Sequence, residues 1–141
     1  MRHATNDKKL EHSLEHIGNI AMENVFFRKV FYTGEFGQLV LMSIPPGGEI
    51  GENEYRDADC FLFILEGEGE AVLKSKRRAA RKGDVMVVSA GSRHNLKNSG
   101  HDVLKLVAIY TSPEFGDDAI CKTREDALAA DWKALEHAWE Q

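Results

Sequence analysis

Between Val25 and Tyr110 the chain is a succession of short apolar runs separated by glycines, and this spacing constrains the fold more than any other feature. All but Gly18 and Gly116 of the 12 glycines fall between Gly34 and Gly100. They punctuate the runs NVFFRKVFY, FGQLVLMSI, CFLFILEG, GEAVLK, DVMVVSA and VLKLVAIY. Each run is strand-length and rich in Val, Ile, Leu and Phe, and none shows helical spacing. Turn signals recur about every ten residues, as in an all-β sandwich or barrel and not in βαβ units. Runs such as LVLM and FLFIL are apolar on both faces, so each face needs a cover: a second sheet or a partner subunit.

The flanks read differently. Residues 1–24 are polar, with Leu10, Leu14 and Ile17 on one face of a possible short helix, and form an N-terminal arm. Residues 25–115 form the β-rich domain, and 116–141 a C-terminal helical segment. There Thr123 and Asp126 have capping-box spacing. Leu128, Trp132, Leu135 and Trp139 then form an apolar stripe expected to pack back on the sheet. Packing within the chain is preferred to a partner site for that stripe.

Composition narrows the function. With 141 residues the chain is the size of one domain. A net charge of −5 argues against a global nucleic-acid field. No apolar run is long enough to cross a membrane as a helix. The N-terminal residues MRHATNDKKLEHSLEH lack the apolar centre of a secretory signal. Cys60 and Cys121 form neither a disulfide framework nor a CxxC pair, which suits the cytoplasm. The stretch KSKRRAARK, 74–82, carries six basic residues in nine and reads as a hairpin whose charge protects a sheet edge. An anion site is the alternative there.

Two glycine-framed segments carry the chemistry. One is PPGGEIGENEYRDADCFLFILEGEG, 45–69; the other is GDVMVVSAGSRHNLKN, 83–98. Together they resemble the cupin superfamily. In the second, Gly83, Gly91, His94 and Asn98 stand at the family's spacing, with Ser89 where the family has proline. In the first, taking Gly47 and Gly67 as the ends places Asn53, Tyr55 and Cys60 at the three positions where the family has His, His and Glu. The flanking phrases QLVLMSIPPGGEIG and LKLVAIYTSPE are similar to those of small stand-alone cupins labelled mannose-6-phosphate-isomerase-like. The resemblance covers residues 25 to 115. It implies a double-stranded β-helix, or jelly-roll barrel, with a C-terminal α-helix and a short N-terminal arm or helix.

The resemblance also implies a site where four side chains meet in the barrel mouth. Residues two apart on a strand share a face, so Asn53 and Tyr55 aim together. In the family the four positions hold a divalent transition metal, as imidazole and carboxylate ligands allow. Here only His94 is kept. A rebuilt site would need His94 with Cys60, Tyr55 and Asn53 as iron, manganese, nickel, copper or zinc ligands. Glu52, Glu54, Asp57 and Asp59 lie close in sequence and are expected on a solvated loop, unless a β-bulge turns them inward. Of the other histidines, His12 and His16 are four apart without a third ligand. Cys60 is expected as a small buried hydrophobe. Cys121, near the helix start, is inert or weakly activated.

The reading is a metal-poor cupin that binds a small polar molecule, a sugar or a small acid. Asn53, Tyr55, Cys60, His94, Met42, Phe61 and Phe63 are its expected binding residues. His94 and Tyr55 are the pair for any metal-free proton transfer. The alternative is a metal-dependent dioxygenase or sugar isomerase using His94 with Cys60, Tyr55 or Asn53. No cofactor is assigned, and binding and catalysis both stay open. A homodimer is expected, with neither nucleic acid nor membrane as partner.

Overall fold

The computed structural model describes the backbone of residues 12–140 and the side chains of residues 12–132. Nine strands and two helices follow in order: α1 (Ile17–Glu23), β1 (Arg28–Thr33), β2 (Gln38–Ile44), β3 (Cys60–Glu66), β4 (Glu68–Leu73), β5 (Lys76–Arg81), β6 (Val85–Val88), β7 (His94–Asn98), β8 (Leu104–Tyr110), β9 (Ile120–Cys121) and α2 (Arg124–Glu140). Six strands form one sheet in the order β6-β3-β8-β2-β1-β9, and three form a second, β5-β4-β7. This is the all-β fold that the strand and glycine pattern predicts, with the C-terminal helix that the apolar periodicity predicts, in the jelly-roll form that the resemblance implies.

The two sheets share one core. Leu62, Ile64 and Leu106 from the larger sheet and Ala71 and Leu96 from the smaller belong to a single buried cluster. The alternation of β3 shows how the pleat sorts its side chains. Cys60, Leu62 and Ile64 are buried, while Phe61 is half-buried and Phe63 exposed on the other face. Part of the outer face is covered by α1, whose Ala21 packs with Leu41 and Val107. Leu41 and Val107 are central residues of two-faced apolar strands, and the N-terminal helix is thus one of the covers those strands required.

Glycines place the turns. Gly47, Gly67, Gly83 and Gly91, four of the residues that frame the family motif, all have positive φ. At Gly67 a Cβ would also stand 2.9 Å from the carbonyl oxygen of Val103, so only glycine suits both the dihedral and the space.

Several details differ from the sequence expectation. The sheet does not end at residue 115: β9 adds to it, pairing Cys121 with Arg28 of β1. The helix of the N-terminal arm starts at Ile17 and is capped by His16, whose Nδ1 accepts from the Asn19 amide at 3.2 Å. Leu14 is exposed, outside that helix, and Leu10 lies outside the described residues. The Thr123–Asp126 capping box is present: the Asp126 amide donates to Thr123 Oγ1 at 3.1 Å and the Thr123 amide to Asp126 Oδ2 at 3.3 Å.

The described half of the stripe on α2 is largely exposed. Leu128 and Trp132 are 49% and 62% exposed, whereas Ala127 is buried. The helix turns Arg124, Ala127 and Asp131 toward the barrel, because Asp131 pairs there with a buried arginine and Arg124 with a backbone carbonyl. The side chains of Leu135 and Trp139 lie outside the described residues.

The basic stretch is a two-residue hairpin turn at Lys74–Ser75 followed by β5, an edge strand. Its cations face a row of acids: Arg77 to Glu70 at 3.8 Å, Arg81 to Glu68 at 3.7 Å and Lys82 to Glu66 at 3.8 Å. Those pairs are exposed and contribute little stability, but they offset the positive field of the edge.

Candidate functional site at the barrel mouth

The segment after β2 runs beside β7 without being a regular strand. Glu49 bridges Lys97, and Asn53 bridges His94 through reciprocal 2.9 Å hydrogen bonds. The register slips by one residue between these bridges. The slip falls at Gly51, whose φ is +101° and whose amide donates to Asn95 Oδ1 at 2.9 Å. This bulge leaves Asn53 and Tyr55 half-buried and Glu52 and Glu54 exposed. Both glutamates lie 3.8 Å from Arg93 on the rim. Asp57 and Asp59 are exposed, and Asp59 accepts from the Ala90 amide. Of the four acids only Glu52 reaches the cavity at the mouth, from its exposed rim.

Tyr55 is the centre of an aromatic group. Its ring lies 5.6 Å from His94, 5.2 Å from Tyr110 and 6.2 Å from Phe115; Tyr110 and Phe115 are 5.3 Å apart. The Tyr55, Tyr110 and Phe115 contacts are edge-to-face, a favoured arrangement of ring quadrupoles. Phe115 is held there by the buried Gln38. The Gln38 carbonyl accepts the amides of Glu114 and Phe115 at 3.0 Å, and its amide group donates to the Phe115 carbonyl at 2.9 Å.

His94 is buried, and its Nδ1 lies 3.1 Å from the Ser92 carbonyl oxygen. A carbonyl only accepts, so the ring proton sits on Nδ1 and Nε2 keeps a lone pair. Burial lowers the His94 pKa, more than the Ser92 contact raises it, so the ring is neutral at pH 7. Burial pushes Tyr55 well above the usual phenol range and Cys60 up to about 12. Tyr110, whose hydroxyl stands against both Tyr55 and Cys60, is pushed up as well, again chiefly by burial. These groups are therefore neutral hydrogen-bonding groups.

Such a donor set does not suit a divalent transition metal. It offers one imidazole, a thiol and a phenol held in their protonated forms, and one amide. Among the described residues no three His, Cys, Asp or Glu side chains converge on a common point.

What lies at the mouth is a cavity of about 70 Å³ between the barrel and α2. Asn53, Tyr55 and Met42 line it, joined by Arg28, Phe115 and Asp131. His94 and Cys60 stand behind Tyr55 and Tyr110 and do not line it. Phe61 and Phe63 do not line it either. They occupy the opposite face of β3 from Cys60, since a strand reverses its side chains at every residue, and the expectation that they wall the pocket is corrected.

Arg28 is the component that the motifs do not show. On β1 it is opposite Met42 and Cys121, and it is only 6% exposed. Its guanidinium forms a fork with Asp131, at 2.8 and 3.1 Å, and lies 3.8 Å above the Phe115 ring. Burial opposes its charge, but the hydrogen bond and the attraction of Asp131 outweigh this and raise its pKa. Among the described residues Arg28 Nε is buried with no hydrogen-bond partner. On β1 Arg28 shares strand parity with the buried Val30 and so points inward, a parity the sequence does not single out because Val25, Phe27 and Phe31 make the other face equally apolar.

Comparison with known proteins agrees with this architecture. Residues 40–110 match the family described as "Cupin domain". The chain is 35% identical over 121 residues to the uncharacterized protein YrkC of Bacillus subtilis, covering 82% of this chain and 65% of that protein. It thus spans a little under two-thirds of that relative's length. The crystal structure of a Bacillus halodurans protein superposes with a TM-score of 0.84 at 28% identity, covering 85% of this chain and 96% of the other. A Thermotoga maritima structure described as a predicted oxalate decarboxylase aligns at 26% identity with a TM-score of 0.52, covering 54% and 66%. The fold, the positive-φ glycines of the two motifs and the family match agree: this chain belongs to the cupin family.

Proposed function

We propose that this cupin uses its barrel mouth to bind a small polar organic molecule, a sugar or a small acid, without a resident transition metal. The observation that carries this reading is the cavity itself. It joins the neutral donors Asn53 and Tyr55, two of the four positions that the family motif marks, to apolar walls from Met42 and Phe115. A few convergent polar groups on an apolar wall are what small-ligand sites are made of. The donor chemistry described above supports the metal-free part. The Thermotoga maritima relative, described as a predicted oxalate decarboxylase, supports small acids within the ligand class.

Any proton transfer in this site would run through Tyr55. It lines the cavity, with the neutral His94 5.6 Å behind it, ring to ring. We also propose a homodimer through the outer face of β3 and β6, where Phe63, Val85 and Val87 are exposed.

The test is a titration of sugars and small organic acids, read by thermal stabilisation and by NMR shifts at the mouth. Binding to the wild-type protein that is weakened by Asn53→Ala and by Tyr55→Phe is the expected result. Stabilisation by no compound, or binding that both substitutions leave unchanged, would overturn the reading.

A further inference from the structure

We infer that the ligand of this site is a carboxylate, that Arg28 is its receptor, and that Asp131 of α2 occupies the same seat when the ligand is absent. This rests on the reading of the mouth as a small-molecule site and names its ligand class.

Three observations on the page converge. The first is the form of the Arg28–Asp131 contact, a two-point fork of a buried guanidinium on a carboxylate. A free carboxylate presents the same pair of oxygens, and the planar guanidinium recognises both alike. The second is that Arg28 lines the cavity while its own Nε, buried behind that surface, has no partner among the described residues. A guanidinium serving only to anchor a helix would be expected to have its remaining donor satisfied, because an unpaired buried N–H is costly. Here the donor is left over on a residue that borders about 70 Å³ of space, which is room for a molecule of acetate size.

The third is how α2 is seated. Its described apolar residues Leu128, on the cavity's rim, and Trp132 are 49% and 62% exposed, and Asp131 itself is half-exposed. On the side facing the barrel are Ala127, the Asp131 fork and Arg124, whose Nε donates to the Ile50 carbonyl at 3.4 Å. Arg124 has no carboxylate partner among the described residues. Its guanidinium lies so close to Gly51 that a Cβ there would be 2.6 Å from Nη2. The mouth therefore holds two guanidinium groups, with Glu52 at its rim, and the acid that neutralises the deeper guanidinium comes from a helix whose described apolar side chains, Ala127 apart, are exposed. When a ligand carboxylate takes the fork, Asp131 returns to water and α2 lifts from the mouth.

The experiment is an NMR titration with acetate, with acetamide as the neutral isostere and sodium chloride as the ionic control. It is run on the wild-type chain, Asp131→Ala, and Arg28→Lys in the Asp131→Ala background. Acetate is expected to shift mouth resonances in both wild type and Asp131→Ala, about fivefold to tenfold more tightly in the variant, because the internal competitor is gone. Arg28→Lys should remove most of that gain, since an ammonium lacks the fork. If that double variant does not fold, the acetate–acetamide difference on Asp131→Ala decides the matter alone.

Equal acetate affinity in wild type and Asp131→Ala would overturn the shared seat. Acetamide or chloride acting as well as acetate would overturn the carboxylate class. If sugars shift the mouth resonances while acetate does not, this inference fails and the small-molecule reading stands. If no compound does, both fail.

Discussion

The barrel frame and the barrel mouth are built by different means. The frame, from β2 to β8, is held by apolar side chains on neighbouring strands in continuous register, as in the seven pairs from Gln38–Tyr110 to Ile44–Leu104. The mouth is held by polar contacts between distant parts of the chain: Arg28 with Asp131, Gln38 with the backbone of residues 114 and 115, and Arg124 with Ile50. A frame of this kind is rigid and tolerates no loss of volume. A mouth of this kind can exchange one polar partner for another, which a binding site requires.

The sharpest way to break the frame is to hollow it. Leu106 is fully buried on β8, the strand between β3 and β2. Leu106→Ala should cost about 2–5 kcal/mol in urea unfolding, the range for truncating a buried leucine. A change below about 1 kcal/mol would mean that the core is looser than its burial shows. Next in size is Gly67→Ala. The residue has φ +95°, and a Cβ would press on Val103 and Leu104. A loss of about 1–3 kcal/mol is expected from strain and overlap, and an unchanged urea midpoint would contradict the turn geometry.

How far each region could be read in advance follows from the same contrast. The frame was legible because its determinants are local: strand parity, apolar runs and glycines at fixed offsets. Gly47, Gly67, Gly83 and Gly91 are spaced by the turns they make. The first motif also led to Asn53 and Tyr55, two of the residues lining the cavity. It did not lead to Arg28 and Asp131, because that pair spans 103 positions and nothing in the spacing of either residue names the other. Phe61 and Phe63 were misplaced because two-faced apolar strands look alike on both sides. The parity of Cys60 would have sent them outward. In the described half of the α2 stripe Leu128 and Trp132 are exposed, since periodicity shows that a helix has an apolar face, not that the face is turned to the core.

Smaller effects probe the boundary between the two regions. His94 is buried neutral, with its pKa below the ordinary value of 6.5. The unfolded chain therefore binds the proton more readily than the folded one. The stability linked to His94 is present above pH 6.5 and is lost as pH falls from there through the folded pKa. His94→Gln should flatten that part of the curve of urea stability against pH. A curve of the same slope with and without His94 would contradict its buried neutral state.

The smallest effect on monomer stability is expected at the outer face. Val87 is 55% exposed, so Val87→Glu should leave the urea midpoint nearly unchanged. Sedimentation equilibrium should nevertheless shift from dimer toward monomer. A wild-type protein that is already monomeric at micromolar concentration would contradict the proposed interface.

The most direct test of the account is the metal content of tag-free protein purified without added metal, measured by mass spectrometry on wild type and His94→Ala. The donor chemistry of Asn53, Tyr55, Cys60 and His94 predicts no stoichiometric transition metal in either protein, and the same small-molecule binding at the mouth with or without chelator. Stoichiometric iron, manganese, nickel, copper or zinc in the wild type, lost in His94→Ala, would contradict it and establish this chain as a cupin with a rebuilt metal site.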